Sequence, residues 1–250
     1  MNSVKRSNQQ NVDNLDVLTG RVVTFQPMYD PSESRLSIPN QKQVKSSGDE
    51  ALWSVTAAES DCDNTTSART AAFGALDPLV TRVINAVRIS DVPEQTIQQV
   101  ESIVRELRNV RASGSTPPVI TTEGTENGAS PRTNKKRSGS YNTRIENFRK
   151  LIILLTTIAA YKPKENDLTI ESLNNMLAAL IMVNGAWNMA EAKADAARQQ
   201  RDIVLYTART GLVAIAMDSK RYVKSAYGAR SSQFKSISGI TFTNKNKANS

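Results

Sequence analysis

The side chains that most often carry out enzyme chemistry are scarce in this sequence of 250 residues. It contains no histidine, the residue that most often serves as general base and as metal ligand. Its single cysteine, Cys62, excludes an internal disulfide and also a zinc site built from several thiolates of one chain. Imidazole chemistry is therefore closed to it, and so are sites that need two or more cysteines.

Two pairs of carboxylates are the remaining candidates for metal binding or acid–base catalysis. They are Asp61 with Asp63, and Asp49 with Glu50. Two carboxylates can bind a hard cation or act as acid and base, but neither pair has a third ligand at EF-hand spacing. Neither Gly-x-Gly-x-x-Gly nor a P-loop occurs. We therefore predict no catalytic, cofactor-binding or metal residues, no cofactor and no enzymatic activity, and interpret these carboxylates as solvated.

Cations are concentrated toward the C-terminus. Residues 1–129 carry a net charge of −4 and residues 130–250 a net charge of +12, which gives the total of +8. After Asp218 there is no acidic side chain, and cations there alternate with aromatic residues, a composition that suits phosphate contact and base stacking. The same aromatic residues also suit anchoring of the tail to a helical core. The candidate patch for an anionic partner consists of Lys220, Arg221, Lys224, Arg230 and Lys235.

Two functions from different classes fit this charge pattern. The first, which we predict, is a non-catalytic structural or interaction protein that self-associates, the basic C-terminal half of one copy meeting the acidic N-terminal half of another. Head-to-tail contacts of this kind are heterologous and can grow into filaments. Its partner is then itself, as a homo-oligomer or filament, or another protein. The alternative is a nucleic-acid-associated protein that uses the basic C-terminal region, with binding that falls steeply with salt.

Apolar residues recur at helical spacing, and no segment alternates with a period of two, so we predict an all-α bundle of six or seven helices. Thr169 suits an N-cap of a helix that extends to about Thr207, and a corner at residues 210–211 leads to a helix that stops at Gly228. In the first half, Asp77 and Pro78 suit the start of a helix. A further helix after Pro93 contains Glu101 and Arg105 as an i,i+4 ion pair.

Composition divides the chain into five segments. Residues 113–140 are rich in Ser, Thr, Gly and Pro and predict a flexible linker, in which the cations of residues 135–137 are interpreted as solvated. The linker joins a first helical unit at residues 15–112 to a second at residues 141–230. We predict a disordered N-terminal segment at residues 1–14 and a basic extended tail at residues 231–250.

The two helical units look like diverged copies of one sequence. Tyr29-Asp30-Pro31 followed by Leu36-Ser37-Ile38 recurs 132 residues later as Tyr161-Lys162-Pro163 followed by Leu168-Thr169-Ile170. Further landmarks follow in the same order with slips of at most two residues: Trp53 and Trp187, Arg69 and Arg201, and residues 79–80 and 212–213. We therefore predict one helical unit used twice.

The sequence resembles a family of uncharacterised helical proteins common in Bacteroidota. The resemblance covers roughly residues 29–112 and 141–243 and is carried mainly by residues 210–213 (TGLV), 220–225 (KRYVKS), 227–229 (YGA) and 232–235 (SQFK). It implies a duplicated helical-bundle fold and no activity.

The N-terminal residues 1–14 are polar and lack the apolar core of a secretory signal. The longest apolar runs, at residues 151–160 and 176–183, are shorter than the roughly 20 residues of a membrane span. We predict a cytoplasmic protein with no membrane span.

Overall fold

A computed structural model describes residues 3–108 and 140–244. This part of the chain is all-α, without strands, as predicted. Its seven α-helices are α1 (Ser3–Val23), α2 (Ile38–Arg88), α3 (Glu94–Leu107), α4 (Tyr141–Thr157), α5 (Ile170–Tyr206), α6 (Leu212–Tyr227) and α7 (Ser232–Ser238). Short 3₁₀ turns at Ser34–Leu36 and Asn166–Leu168 precede α2 and α5. Among the described residues, no helix has the length and apolar character that crossing a membrane requires.

The described chain forms two compact units, and each contains residues from both halves of the sequence. The first unit comprises residues up to 63 and from 189 onward, and the second comprises residues 64–188. Helix α2 therefore contributes residues 38–63 to the first unit and 64–88 to the second, and α5 is divided in the same way after residue 188. These units differ from the predicted consecutive units at 15–112 and 141–230, because the long helices carry the chain from one unit into the other.

The sequence predicts Pro78 at the start of a helix. In the structure it lies inside α2. A proline in a helix interior removes one backbone hydrogen bond and crowds the preceding turn. Pro78 itself is exposed, whereas Phe73, Leu76, Val80 and Val83 on the same helix are buried with at most 1 % exposure. Burial of this apolar face on both sides of the proline offsets the local penalty, and α2 continues to Arg88.

The N-terminal segment is helical rather than disordered. The prediction of disorder was wrong for residues 3–14, because this polar segment buries Asn8 and Asn11 through hydrogen bonds, together with the apolar Val12. Asn8 accepts a hydrogen bond from the Tyr206 hydroxyl at 2.6 Å. Asn11 donates to the carbonyl of Thr243 and accepts from its N–H, both at 2.9 Å. Hydrogen bonds of this kind remove the cost of burying an amide.

The core of the first unit joins α1 to α6. Val12, Leu15, Leu18 and Val22 of α1 are fully buried in one apolar cluster with Leu212 of α6. The C-terminal tail completes this core through Ile237. Residues 232–238 form α7, capped by the Ser231 hydroxyl, so the prediction of an extended tail from residue 231 was wrong for that stretch.

A hydrogen-bonded cluster is also buried in the first unit. The Gln41 side-chain amide donates to the Tyr29 hydroxyl at 2.9 Å, to the Leu36 carbonyl at 2.8 Å and to the Ser219 hydroxyl at 3.2 Å. The Thr19 hydroxyl lies 3.1 Å from the Gln41 side-chain carbonyl oxygen. Gln41 and Ser219 are fully buried, so these bonds satisfy groups that water cannot reach.

The core of the second unit is an apolar cluster in which α3 packs against α4. Its buried residues come from four elements and include Val87, Val104, Leu151 and Leu173. Glu101 of α3 pairs with Arg88 of α2 at 2.5 Å rather than with Arg105, its predicted partner on the same helix. Residues 109–139, which hold most of the predicted linker and its basic cluster, lie outside the described residues.

Several predicted helix boundaries are confirmed. The Thr169 hydroxyl accepts a hydrogen bond from the N–H of Ser172, and α5 runs without a break to Tyr206. Gly211 precedes α6, which ends at Gly228 with a φ of 89°. That left-handed backbone conformation favours glycine, because a Cβ atom would be strained there.

Candidate anion-binding surfaces

The predicted C-terminal patch is partly used to hold the first unit together. Lys220 donates from its ammonium group to the carbonyls of Ser238 and Ile240 at 3.0 and 2.6 Å, where the chain leaves α7. Burial lowers the pKa of Lys220. Its ammonium group therefore binds the end of α7 rather than a partner.

The other four patch residues are exposed and differ in their contacts. Arg221 pairs with Asp218 at 2.6 Å, and the Lys224 ammonium lies 5.8 Å from the centre of the Phe234 ring. Arg230 and Lys235 are exposed. The structure thus places the five cations on α6, α7 and the corner between them, and all except Lys220 are exposed.

The aromatic residues between these cations anchor the C-terminal region. Tyr222 packs edge-on against Tyr29, and the Tyr227 hydroxyl donates to the carbonyl of Phe25 at 2.9 Å. Phe234 and Phe242 pack against the core of the first unit. Their rings contact the protein itself, which is the anchoring role considered from the sequence.

The carboxylates considered as metal ligands lie on α2, and two of them, Asp49 and Asp61, form ion pairs. Asp49 pairs with Lys45 at 2.7 Å, and Asp61 lies 3.8 Å from the Lys193 ammonium. Within residues 3–108 and 140–244, no group of three His, Cys, Asp or Glu side chains is arranged to hold a metal ion.

A cleft of about 600 Å³ opens in the second unit between the end of α2 and the loop that follows α4. Its floor includes Tyr161, Leu168 and Ala86, and its rim includes the exposed Lys162 and Lys164. The cleft is open to solvent, so a small ligand in it would be only partly enclosed. Three cations and one carboxylate, Glu165, line it.

Two contacts fix the loop that forms one wall of this cleft. The Tyr161 hydroxyl donates to the carbonyl of Leu168 at 2.8 Å. Asp167, in the 3₁₀ turn, forms a two-pronged ion pair with Arg82 of α2, and this hydrogen bonding lowers the pKa of Asp167. Burial, with the nearby charges of Glu165 and Asp167, raises the pKa of Tyr161 to about 12, so its hydroxyl stays protonated at neutral pH.

A buried arginine forms a second unusual cluster in this unit. The Arg69 guanidinium lies 3.5 Å from the centre of the Trp187 ring and 4.2 Å from that of Tyr141. Only 7 % of the residue is exposed, and its Nε has no hydrogen-bond partner among the described residues. Two aromatic faces offer the charge cation–π stabilisation in place of water.

The sequence contains one signal for the cleft. Tyr161, Lys162 and Pro163 form a repeated landmark, and the lysines on either side of the proline match no known site motif. No pattern along the chain indicated that the end of α2 would lie opposite this loop. The cleft therefore emerges only from the fold.

Comparison with known proteins assigns no function to these surfaces. No protein-family model matches the chain, nor does any curated protein or solved structure.

Proposed function

We propose that this chain is a non-catalytic helical-bundle protein that works by binding, and that its second unit holds an organic anion. The observation that carries the proposal is the 600 Å³ cleft, which combines an apolar floor with a basic rim. Sites for small molecules are concave and largely apolar, with a few polar groups that fix orientation. Lys162 and Lys164 supply such groups here for a carboxylate or a phosphate.

The charges at the cleft favour an anion. Arg82 is already paired with Asp167, so its charge mainly holds the loop in place. Lys162 and Lys164 remain exposed at the rim, opposed within the lining only by Glu165. Attraction between such exposed charges and a ligand is modest and weakened by salt, so we expect weak binding that is strongest at low ionic strength.

Titration calorimetry at low salt tests this proposal with benzoate, phenyl phosphate, cyclohexanecarboxylate and hexanoate as probes. Changing Lys162 and Lys164 together to alanine is expected to weaken binding about tenfold, since two exposed charge contacts are worth about 1.4 kcal/mol together. The matched control changes Lys42 and Lys235, two exposed lysines of the first unit, and leaves binding unchanged. Absence of binding by all four probes, or equal effects of the two double changes, contradicts the proposal.

Matching contacts support the idea that the two units are diverged copies. A duplicated fold is also what the resemblance to the Bacteroidota family implies. The hydroxyl of Tyr29 donates to Leu36, and that of Tyr161 donates to Leu168, both at 2.8 Å. The buried α1 residues 12, 15, 18 and 22 have buried counterparts in α4 at 145, 148, 151 and 155. Trp53 and Trp187 do not match, since Trp53 is 74 % exposed and Trp187 packs on Arg69.

Self-association through unlike charges remains a prediction, as do the nucleic-acid alternative and a cytoplasmic location. Within the first unit, Arg198 and Lys193 of the basic half already pair with Glu59 and Asp61 of the acidic half. These contacts use inside one chain some of the charge that the prediction assigned to neighbouring copies. Light scattering at 50 mM and 500 mM salt tests self-association, and retention of single-stranded DNA across the same range tests the alternative.

A further inference from the structure

We infer that the anion held in the cleft carries an aromatic ring, and that the ring lies where the first unit places its own Tyr222. This inference rests on the proposed function and names the ligand class for the same cleft. It depends on aligning the two units by their contacts, and the alignment then shows which residue leaves the cleft open.

A charge-reversed ion pair sets the alignment of the helices that flank the two loops. In the first unit, Arg35 of the 3₁₀ turn pairs with Asp218 of α6 at 2.8 Å. In the second unit, Asp167 of the 3₁₀ turn pairs with Arg82 of α2. Residues 35 and 167 differ by 132, whereas 82 and 218 differ by 136. The four extra residues match the corner between α5 and α6, which α2 lacks because it continues as one helix.

One helical turn beyond each pair, the two units differ in the volume of a side chain. Tyr222 follows Asp218 by four residues, and its ring meets the Tyr29 ring edge-on, with centroids 5.1 Å apart and planes at 87°. Ala86 follows Arg82 by four residues and lines the cleft beside Tyr161. The first unit therefore fills with a tyrosine ring the position that the second unit leaves to a methyl group.

The loops differ in charge at the same place. Asp30 and Ser32 flank Pro31 in the first unit, and Lys162 and Lys164 flank Pro163 in the second. The first unit, in which Tyr222 supplies the ring, thus lacks the two lysines. The second unit, in which Ala86 leaves that position vacant, has them. A ligand that combines an aromatic ring with a carboxylate or phosphate satisfies both features, because edge-to-face packing of aromatic rings is favourable beyond the apolar area that it buries.

The test compares ligands that differ only in the ring, and a variant that fills the vacant position. Benzoate is expected to bind at least fivefold more tightly than cyclohexanecarboxylate, and phenyl phosphate more tightly than cyclohexyl phosphate. Ala86→Tyr, which imitates the first unit, is expected to reduce benzoate binding at least tenfold. Ala57→Tyr, at an exposed alanine in the part of α2 that belongs to the first unit, serves as the control and leaves binding unchanged. Thermal unfolding and circular dichroism establish that both variants are folded.

If Ala86→Tyr does not fold, Asn85→Phe at the exposed edge of the same cleft replaces it and is expected to block benzoate as well. Equal binding of aromatic and saturated anions, or full binding to the folded Ala86→Tyr variant, overturns this inference. Those results leave the proposed function standing as long as the double lysine change still weakens binding. Failure of every anion to bind contradicts the proposed function itself. The carboxylate and phosphate arms show which anionic group the lysines prefer.

Discussion

Replacing Gln41 by leucine removes the centre of the buried hydrogen-bonded cluster in the first unit. The amide nitrogen of Gln41 has two hydrogens to share among three acceptors, and its carbonyl oxygen lies 3.1 Å from the Thr19 hydroxyl. Two to three hydrogen bonds are therefore lost at once, since the Thr19 hydroxyl shares its one hydrogen with the Leu15 carbonyl at 2.8 Å, and each bond has a net value of about 1 kcal/mol. The more apolar leucine offsets about 1 kcal/mol of this loss. We expect a net destabilisation of about 1–2 kcal/mol.

The second unit suggests how the loss can be repaired. The positions that correspond to Thr19, Gln41 and Ser219 by the alignment above hold Ile152, Leu173 and Val83, all at most 4 % exposed. The triple change Thr19→Ile, Gln41→Leu and Ser219→Val therefore imports a set of side chains that the same fold already packs. Replacing all partners of a buried polar cluster by apolar groups can be nearly neutral. We expect the triple variant to be within about 1 kcal/mol of the parent protein.

Urea unfolding followed by far-UV circular dichroism measures both free energies by linear extrapolation. Leu173→Gln is the reciprocal control, because the second unit offers its amide counterparts of the Tyr29 and Leu36 acceptors, Tyr161 and Leu168, but has apolar Ile152 and Val83 in place of Thr19 and Ser219. This partly satisfied buried amide is expected to cost about 1–3 kcal/mol. A Gln41→Leu variant as stable as the parent would show that the cluster contributes nothing. A triple variant less stable than Gln41→Leu alone would refute the correspondence between the two cores.

Three further predictions follow from single side chains. Gly211→Ala is expected to lower the free energy of unfolding by more than about 2 kcal/mol, because its Cβ would lie 2.6–2.7 Å from backbone atoms of the preceding turn. Gly185→Ala, in open space within α5, is expected to raise the free energy of unfolding by about 1 kcal/mol in the same urea assay. The pKa of Asp218 is lower in the folded chain than its usual 3.8, because hydrogen bonds from arginines outweigh the opposing effect of burial. The folded state then binds fewer protons than the unfolded state, so the contribution of Asp218 to stability is present above about pH 4 and is lost as pH falls below it. Asp218→Asn should flatten the acid side of the profile of stability against pH, and an unchanged profile would contradict this. Arg69→Met is expected to cost about 1–2 kcal/mol and to change the emission of Trp187 in a Trp53→Phe background, while an unchanged emission spectrum would argue against the stacked geometry.

Helices and their ends were predictable where local chemistry decides them. Thr169 caps α5, Gly228 ends α6 with a positive φ, and the apolar spacing of α4 marks its buried face. Local rules failed at Pro78, where burial of neighbouring residues outweighs the preference of proline for a helix start. They failed also at Asn8 and Asn11, whose burial depends on partners more than 190 residues away.

The segments that form each unit could not be predicted from their order along the sequence. Charge and composition vary along the chain, and they suggested an acidic half followed by a basic half. In the first unit, α1 and the start of α2 lie with the end of α5, α6 and α7, so Glu59 meets Arg198 within one copy. Long-range contacts of this kind depend on how apolar faces pack in three dimensions, which no window along the sequence reports.

The cleft is visible in the second unit alone, but its vacant position is recognised only by comparison of the two units. An alanine at position 86 is unremarkable in a helix, and it indicates a site only when Tyr222 is recognised as its counterpart. That recognition depends on the ion pairs Arg35–Asp218 and Asp167–Arg82, since the sequence landmarks at residues 79–80 and 212–213 suggested a different offset of 133. With the offset of 136, the vacant position, the exposed lysines and the retained Tyr161 fall together at one place in the second unit. The proposed duplication accounts for this difference if one copy keeps a ligand and the other replaces the ligand with its own side chain.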